Sequence, residues 1–389
     1  MEAGLIWGTH FGVAWQHQMF SVKVGRALIG LLTGCGLWAC ASEDGALDAA
    51  PLDSGCPIDL GSPLDAAEGN DLGDPGDADA GAPFDGASAD LGNPTHGRWE
   101  SRAPLPAGPR QETAVVAVGE EIFVVGGFDQ NAAFGAVVEA YRPADDCWRR
   151  VADVPARLHH ANAAAVDGRL YVLGFLGTDF RHDSRAWVYD GAADRWDPLA
   201  NLPPTRARGA AAVAVLDGRI YLVGGLRNGV SVADFDVYDP ATGAWLPLPP
   251  LPRVADHLVA GAIAGKLYAV GGRAGSITRH TPRVDIYDPA TGVWSAGPEM
   301  PTSRGGMAAA VLGEALYVFG GEGNAAAPTG VFDVVERWEP GLNRWTTLAP
   351  MNPGRHGTGA ASLDGRIYVP GGAKVEAFGA VARLEVFIP

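Results

Sequence analysis

Residues 304–321 read RGGMAAAVLGEALYVFGG, and this stretch decides the fold. A run of small residues at 306–311 is followed by a short turn and then by the aromatic-rich run LYVF at 316–319. Short apolar runs of this kind, bounded by glycine, are typical of β-strands. The stretch therefore predicts a hairpin of two strands that ends at the pair Gly320-Gly321.

The same pattern recurs along the chain with a period close to 50 residues. Its glycine marker has one degenerate copy and appears six times: Gly126-Gly127, Gly174-Phe175, Gly224-Gly225, Gly271-Gly272, Gly320-Gly321 and Gly371-Gly372. Six tryptophans repeat in phase with it: Trp99, Trp148, Trp196, Trp245, Trp294 and Trp345. Two independent markers with the same count and period indicate six copies of one structural unit.

Each copy predicts four antiparallel strands. The small-residue strand and the aromatic strand are joined by a tight turn, often Asp-Gly as at Asp217-Gly218, which adopts a positive φ at low cost. The third strand alternates, as in VDIY at 284–287, and stops at Asp288-Pro289 because proline cannot donate to a ladder. A second turn leads to the fourth strand, which carries the tryptophan.

This pattern resembles the Kelch repeat over residues 98–389. The resemblance implies an all-β fold, a six-bladed Kelch β-propeller with four antiparallel strands per blade. The last copy has three predicted strands and no tryptophan strand, whereas RWES at 98–101 precedes the first copy. We therefore predict that the N-terminal strand at residues 98–102 closes the last blade and leaves no open edge.

Residues 1–40 are predicted to be a targeting segment. Lys23 and Arg26 precede a short apolar run, which suits a signal peptide better than a membrane span. The sequence LTGC at 32–35 resembles the lipobox of bacterial lipoproteins, which implies lipidation of Cys35, with Cys40 as the alternative. Ordinary secretion is the other interpretation of this segment. We expect the true start to be Met19, because residues 1–18 put an acidic residue and no basic residue first.

Residues 41–97 are predicted to be a disordered acidic tether. They are rich in Ala, Gly, Asp and Pro and hold thirteen acidic residues without a single Lys or Arg. Such a composition buries too little apolar surface to offset the entropy of ordering. We expect the segment to hold the propeller in the cell envelope, at a membrane surface reached only through the N-terminal lipid.

Charge and cysteine content exclude several classes of function. Residues 98–389 carry 31 acidic and 27 basic side chains and no basic stripe, so no nucleic acid is expected as a partner. Four cysteines without CxxC spacing predict no zinc site. Cys56 and Cys147 either pair in an oxidising compartment or remain as two free thiols. We expect a monomer that needs no metal and no cofactor.

The resemblance also implies a ligand site at one mouth of the ring, built from loops before the first strands and after the double glycines. The candidate ligand-binding residues there are basic: Arg110, Arg157, Arg208, Arg253, Arg304, Arg355, His160, His257 and Arg273. Arg110, Arg208, Arg304 and Arg355 each precede their double glycine by sixteen residues. Such arginines either bind a carboxylate-bearing ligand or bond neighbouring loops in every blade as structural residues.

These residues favour a non-catalytic, surface-anchored module that binds a protein, peptide or glycan, with an anionic ligand expected. Two alternatives remain. A mutarotase-type enzyme on an anionic sugar would use Glu112, Asp256 or Glu322 as acid and base, and a structural envelope component would have no soluble ligand. A copper-radical oxidase is excluded, because Cys147 is the only cysteine within residues 98–389 and lies beside Trp148 in an outer strand.

Overall fold

A computed structural model describes residues 96–389, and within them the chain forms six four-stranded antiparallel sheets. Successive strands of each sheet run from the inside of the ring outward. Three of the six blades contain these strands: blade 1, β2 (Ala114–Val118), β3 (Glu121–Val125), β4 (Val138–Arg142) and β5 (Cys147–Val151); blade 2, β6 (Ala163–Val166), β7 (Arg169–Leu176), β8 (His182–Asp190) and β9 (Arg195–Pro198); blade 3, β10 (Ala212–Leu216), β11 (Arg219–Val223), β14 (Phe235–Asp239) and β15 (Ala244–Pro247).

The remaining blades repeat the arrangement: blade 4, β16 (Val259–Ile263), β17 (Lys266–Val270), β18 (Val284–Asp288) and β19 (Val293–Gly297); blade 5, β20 (Ala308–Leu312), β21 (Ala315–Phe319), β22 (Val335–Glu339) and β23 (Arg344–Leu348); blade 6, β24 (Ala361–Leu363), β25 (Arg366–Pro370), β26 (Leu384–Ile388) and β1 (Arg98–Arg102). A two-stranded ribbon and two 3-10 turns complete the list: β12 (Leu226–Arg227) with β13 (Val230–Ser231), and the turns Thr178–Phe180 and Pro340–Leu342. The predicted all-β, six-bladed propeller is confirmed.

Strand β1 closes the ring as predicted. It pairs antiparallel with β26, with Arg98 opposite Ile388 and Arg102 opposite Leu384. Trp99 packs on Phe387 with ring centroids 5.0 Å apart and on Phe319 of blade 5 at 5.7 Å. The outer edge of blade 6 is therefore covered by the N-terminal strand of the described chain.

The periodic tryptophans join neighbouring blades. The indole Nε1 of Trp148 donates to the carbonyl of Ala103, which follows the outer strand of blade 6, at 2.7 Å. The other five indoles make the same bond to the preceding blade, at 2.8–3.1 Å: Trp99 to Ala349, Trp196 to Ala152, Trp245 to Ala200, Trp294 to Pro249 and Trp345 to Pro298. The 48–51-residue period of tryptophan in the sequence is thus the period of this contact.

The hydrophobic core lies between the blades. It divides into six clusters, and each cluster combines side chains of two neighbouring blades. A single blade exposes both faces, so each face depends on a neighbour for its burial. No helix among residues 96–389 is long and apolar enough to cross a membrane. The predicted targeting segment, with Cys35 and Cys40, and all but the last two residues of the predicted tether lie outside the described residues.

Candidate functional site

Six residues, one per blade, form a closed ring of backbone hydrogen bonds around the propeller axis. The N–H of each donates to the carbonyl of its counterpart in the preceding blade, at 2.9–3.1 Å in five of the six bonds, and Glu112 to Gly357 closes the circle. The members of this axial ring are Glu112, His160, Ala210, His257, Gly306 and Gly357. All six have a positive φ between 51° and 68°. This backbone costs non-glycine residues on the order of 1–3 kcal/mol each, and such strain clusters at functional sites.

Three members of the axial ring carry titratable side chains and three are small. The small members make room for carboxylates: a Cβ on Gly357 would lie 2.5 Å from Oε1 of Glu112, and one on Gly306 would lie 3.2 Å from Oε1 of Glu322. The ring immediately precedes the innermost strands, whose Ala, Val and Gly residues line an axial channel of about 300 Å³. We call this face, with the loops after the double glycines, the mouth.

Glu112, His160 and His257 converge at the mouth. Nε2 of His160 lies 2.9 Å from Nε2 of His257 and 3.0 Å from Oε2 of Glu112. Each of the three side chains contributes one ligand-type atom, and these atoms all lie within 4.8 Å of one another. Both histidines are buried, and the Glu112 side chain is 12% exposed.

A second layer of side chains orients these three residues. Nδ1 of His257 contacts Oδ1 of Asp256 at 2.5 Å, and Ser231 donates to the other oxygen of that carboxylate. Nδ1 of His160 bonds Nδ1 of His159, whose Nε2 lies 3.0 Å from the carbonyl oxygen of Gly177. These partners fix the ring orientation of both axial histidines.

Arg273 and Glu322 extend the cluster towards blades 5 and 6. The Arg273 guanidinium contacts His257 Nε2 at 3.1 Å and Asp256 at 3.2 Å, and it pairs with Glu322. His356 places Nδ1 3.4 Å from Glu322 and 3.8 Å from Glu112, while its Nε2 bonds the Val375 carbonyl at 2.9 Å. Nδ1 of His356 is buried and has no hydrogen-bond partner. His356 thus turns an unpartnered ring nitrogen towards two carboxylates.

Burial and neighbouring charges shift the protonation of this cluster. Burial, reinforced by His160, lowers the pKa of His159 to about 3, so His159 is neutral at pH 7. Burial also lowers the pKa of His257, and the positive charge of Arg273 adds to the effect. Burial alone would raise the pKa values of Glu112 and Asp256, but His160 holds that of Glu112 well below its usual range, and His257 helps bring that of Asp256 to about 2. The carboxylates are thus ionised.

An aromatic rim covers one side of the mouth, above blades 1, 2 and 6. It consists of Phe128, Phe134, Phe180 and Phe378. Phe128 is buried at its centre, with ring centroids 5.8–6.0 Å from those of the other three. Phe180 and Phe378 are 41% and 53% exposed, which is unusual for phenylalanine. The rim was not predicted from the sequence, because single phenylalanines in loops of different blades form no pattern along the chain.

Four of the predicted ligand-binding arginines are internal. Arg110, Arg208, Arg304 and Arg355 are at most 5% exposed. Each donates to the carbonyl of the first glycine of its own double glycine and pairs with a buried carboxylate on the third strand: Glu139, Asp236, Glu336 and Glu385, respectively. The structure thus corrects the expectation that they face a ligand and favours the structural alternative, because their guanidinium groups are buried and paired with carboxylates within the blade.

The other predicted residues divide between blade contacts and the mouth. Arg253 is also structural, since it bonds Asp285 at 2.7 Å and the Gly271 carbonyl at 2.9 Å. Arg157 is partly exposed and lies over Phe134, with Cζ 5.5 Å from the ring centroid. His160, His257 and Arg273 meet in the cluster, where they join Glu112, Asp256 and Glu322, which sequence reasoning had considered only as acids for an enzyme.

Comparisons with known proteins agree with this architecture. A family model described as the Kelch motif matches residues 109–155, 207–252, 257–301 and 303–352. Kelch-like protein terF of Aspergillus terreus is 34% identical over 317 residues, which are 76% of this chain and 69% of that protein. Kelch-like protein 35 of Mus musculus is 31% identical over 175 residues, and the chain covers only 29% of its length. The solved structure titled "Structure of YjhT" aligns over 73% of this chain and 95% of that one with a TM-score of 0.62 and 16% identity.

Fold and repeat together define a six-bladed β-propeller with a polar, aromatic-rimmed mouth. The chain belongs to the Kelch-repeat family. The family model does not match residues 156–206, which include most of blade 2, where the second glycine of the repeat is Phe175.

Proposed function

We propose that the protein is a binding module whose mouth takes a protein or peptide segment. Kelch-repeat proteins in general mediate contacts between proteins. The observation that carries the proposal is the pair of exposed rings, Phe180 and Phe378, on the buried Phe128. Aromatic side chains of this kind supply most of the binding energy in many interfaces.

Charge at the mouth refines the expected ligand. The ionised groups of the cluster are Glu112, Asp256, Glu322 and Arg273, which give three negative charges and one positive charge. A ligand that suits this arrangement would place an apolar side chain on the rim. It would place a positive group, or hydrogen-bond donors, over the cluster. We therefore propose a ligand with a positive or hydrogen-bond-donating group in place of the anionic ligand that was expected from the arginines. Those arginines are neutralised inside the blades.

Site-specific photo-crosslinking tests the proposal. A photoreactive phenylalanine analogue in place of Phe378 should capture a defined partner in the native cell, whereas the same analogue at Leu246, an exposed residue on an outer strand, should not. The captured partner is then purified, and Phe180→Ser with Phe378→Ser should weaken its binding roughly 30-fold or more. Leu246→Ser should leave the affinity unchanged.

Two results would overturn this function. Identical crosslinks at positions 378 and 246 would mean that the mouth selects nothing, as expected of a structural envelope component. An unchanged affinity of the double serine variant would move the binding surface away from the rim.

A mutarotase-type enzyme is the second candidate, favoured by the convergence of Glu112 and Asp256 with two buried histidines. Acid and base side chains on opposite sides of a small sugar are what anomerisation requires. Accelerated anomerisation of a sugar acid, lost in Asp256→Asn and kept in the double serine variant of the rim, would favour this candidate over the binding module.

A further inference from the structure

We propose that Glu112, His160 and His257 bind a divalent transition-metal ion at the propeller axis. Two imidazole nitrogens and one carboxylate oxygen form a frequent ligand set for first-row metals, one that leaves positions open for water or another ligand. The proposal is independent of the aromatic rim, so its failure would leave the proposed binding function standing.

The hydrogen-bond partners of the second layer turn one nitrogen of each axial histidine towards the same point. Nδ1 of His257 donates to the Asp256 carboxylate, which can only accept. Nδ1 of His160 lies against Nδ1 of His159, whose Nε2 bonds the Gly177 carbonyl. Nε2 of His160 and Nε2 of His257 are therefore the nitrogens left to face each other beside Glu112.

The two Nε2 atoms lie 2.9 Å apart, and the Glu112 carboxylate stands 3.0 Å from Nε2 of His160. Two ring nitrogens and a carboxylate this close need a proton or a metal ion between them to offset their mutual repulsion. Arg273 donates to Nε2 of His257 at 3.1 Å, and it keeps Asp256 and Glu322 as partners if a metal takes over that nitrogen.

Ligand spacing and charge both suit a metal ion. With bonds of about 2.1 Å, ligand atoms at right angles lie about 3.0 Å apart, whereas tetrahedral ligands lie about 3.4 Å apart. The distances of 2.9 and 3.0 Å from Nε2 of His160 are near the range expected for neighbouring ligands of one metal ion. The cluster has a net charge of −2 from Glu112, Asp256, Glu322 and Arg273, which a divalent ion neutralises.

The second layer has the form that metal sites require. Metal-bound histidines usually donate their other N–H to a carboxylate, a carbonyl or another acceptor, which orients the ring and makes it a better ligand. Asp256 does this for His257, and His159 does it for His160. The strained positive φ of all three ligand residues, 51–54°, aims their side chains at the axis.

The main competing explanation is a proton. A doubly protonated His160 would donate from Nε2 to Glu112 and His257 and would satisfy the same acceptors without a metal. The two explanations differ in an observable way, because a metal must displace that proton to bind, so a site built to hold a proton should show no tight, stoichiometric metal binding near neutral pH.

Cobalt titration of the full-length, chelator-stripped protein separates them. We expect one equivalent of Co²⁺ to bind, by calorimetry and by its visible absorption, and to raise the thermal unfolding temperature. His160→Asn, His257→Asn and Glu112→Gln should each weaken binding at least 10-fold. Asparagine is chosen because it tolerates a positive φ. A triple variant that combines these three substitutions still contains the acidic residues 41–97. The Co²⁺ that it binds therefore measures binding outside the proposed site.

Control variants show whether a loss of Co²⁺ binding comes from the proposed site or from a general effect on folding. His280→Gln should bind Co²⁺ normally, because both nitrogens of His280 are occupied by Ser303 and Gly323. Asp256→Asn should weaken binding about 10- to 100-fold through the second layer. Equal Co²⁺ binding by the wild-type protein and a folded triple variant, as judged by circular dichroism, would overturn the proposal.

Discussion

At the scale of single residues, a buried ion pair is repeated from blade to blade and is replaced as a unit in blade 2. Position 158, which corresponds to the arginines, is leucine there, and the position of the third-strand acid is Trp187. Trp187 stacks on Phe175, the residue in place of the second glycine, with ring centroids 5.7 Å apart. Both charges disappear together because either charge alone would be buried without a partner.

The repeated pair predicts a specific stability pattern. Arg304→Met leaves the buried carboxylate of Glu336 unpaired and should lower the free energy of unfolding by about 3–5 kcal/mol. The double variant Arg304→Met with Glu336→Leu should recover most of that loss, as blade 2 indicates. Arg344→Met, at a side chain 58% exposed, should change stability by no more than about 1 kcal/mol. Urea unfolding measures all three, and a double variant no more stable than the single one would contradict the prediction.

The residue scale also shows the limit of the sequence. The spacing of Arg304 from its double glycine is visible in the sequence, but the partner that neutralises it, Glu336, lies on another strand 32 residues later. Recurrence alone is equally consistent with a ligand-binding ring and a structural one. The burial of the guanidinium groups decides the question, and burial is a tertiary property.

At the scale of elements, the strands were predictable because each has a local cause. Small residues form the crowded inner strands, Asp-Gly turns join them to aromatic strands, and Asp-Pro ends the third strand. The closing strand β1 was predictable from the phase of the tryptophans. The loops after the double glycines have no such regularity, so the rim of Phe180 and Phe378 emerged only in three dimensions.

Removal of β1 tests ring closure. A form of the protein that starts at residue 96 should be monomeric and stable, whereas a form that starts at residue 103 loses the Trp99 contacts and exposes the edge of β26. We expect its unfolding temperature to fall by roughly 10 °C. The open edge should also promote association through strand pairing. Calorimetry and size-exclusion chromatography report both effects, and equal stability of the two forms would show that β1 is dispensable.

At the scale of the whole molecule, one cysteine bears on the proposed compartment. Cys147, the only cysteine among residues 96–389, is disulfide-bonded. Structural disulfides are typical of oxidising compartments such as the cell envelope. We propose on this basis that the propeller works in an oxidising compartment, while the tether at 41–97 and the lipid on Cys35 stay predictions from the sequence.

Labelled palmitate tests the anchor. Incorporation should be lost in Cys35→Ser and retained in Cys40→Ser, because LTGC at 32–35 resembles a lipobox, whereas the bulky Trp38 stands two residues before Cys40. Peptide mapping without reduction should then join Cys147 to Cys56, the pairing considered from the sequence, rather than to Cys40. Palmitate retained in Cys35→Ser, or a disulfide that contains Cys35, would contradict the assignment.

The sequence by itself determined the number of blades, the four strands of each and the closure of the ring, because all three follow from a period that local residue types write along the chain. The tertiary structure decided what the mouth is made of. Glu112, His160 and His257 are separated by 48 and 97 residues and share no motif, and they meet only because the ring places equivalent positions of different blades around one axis. It also decided that the recurring arginines stabilise the blades, since whether a charge faces solvent or a buried partner depends on contacts between strands.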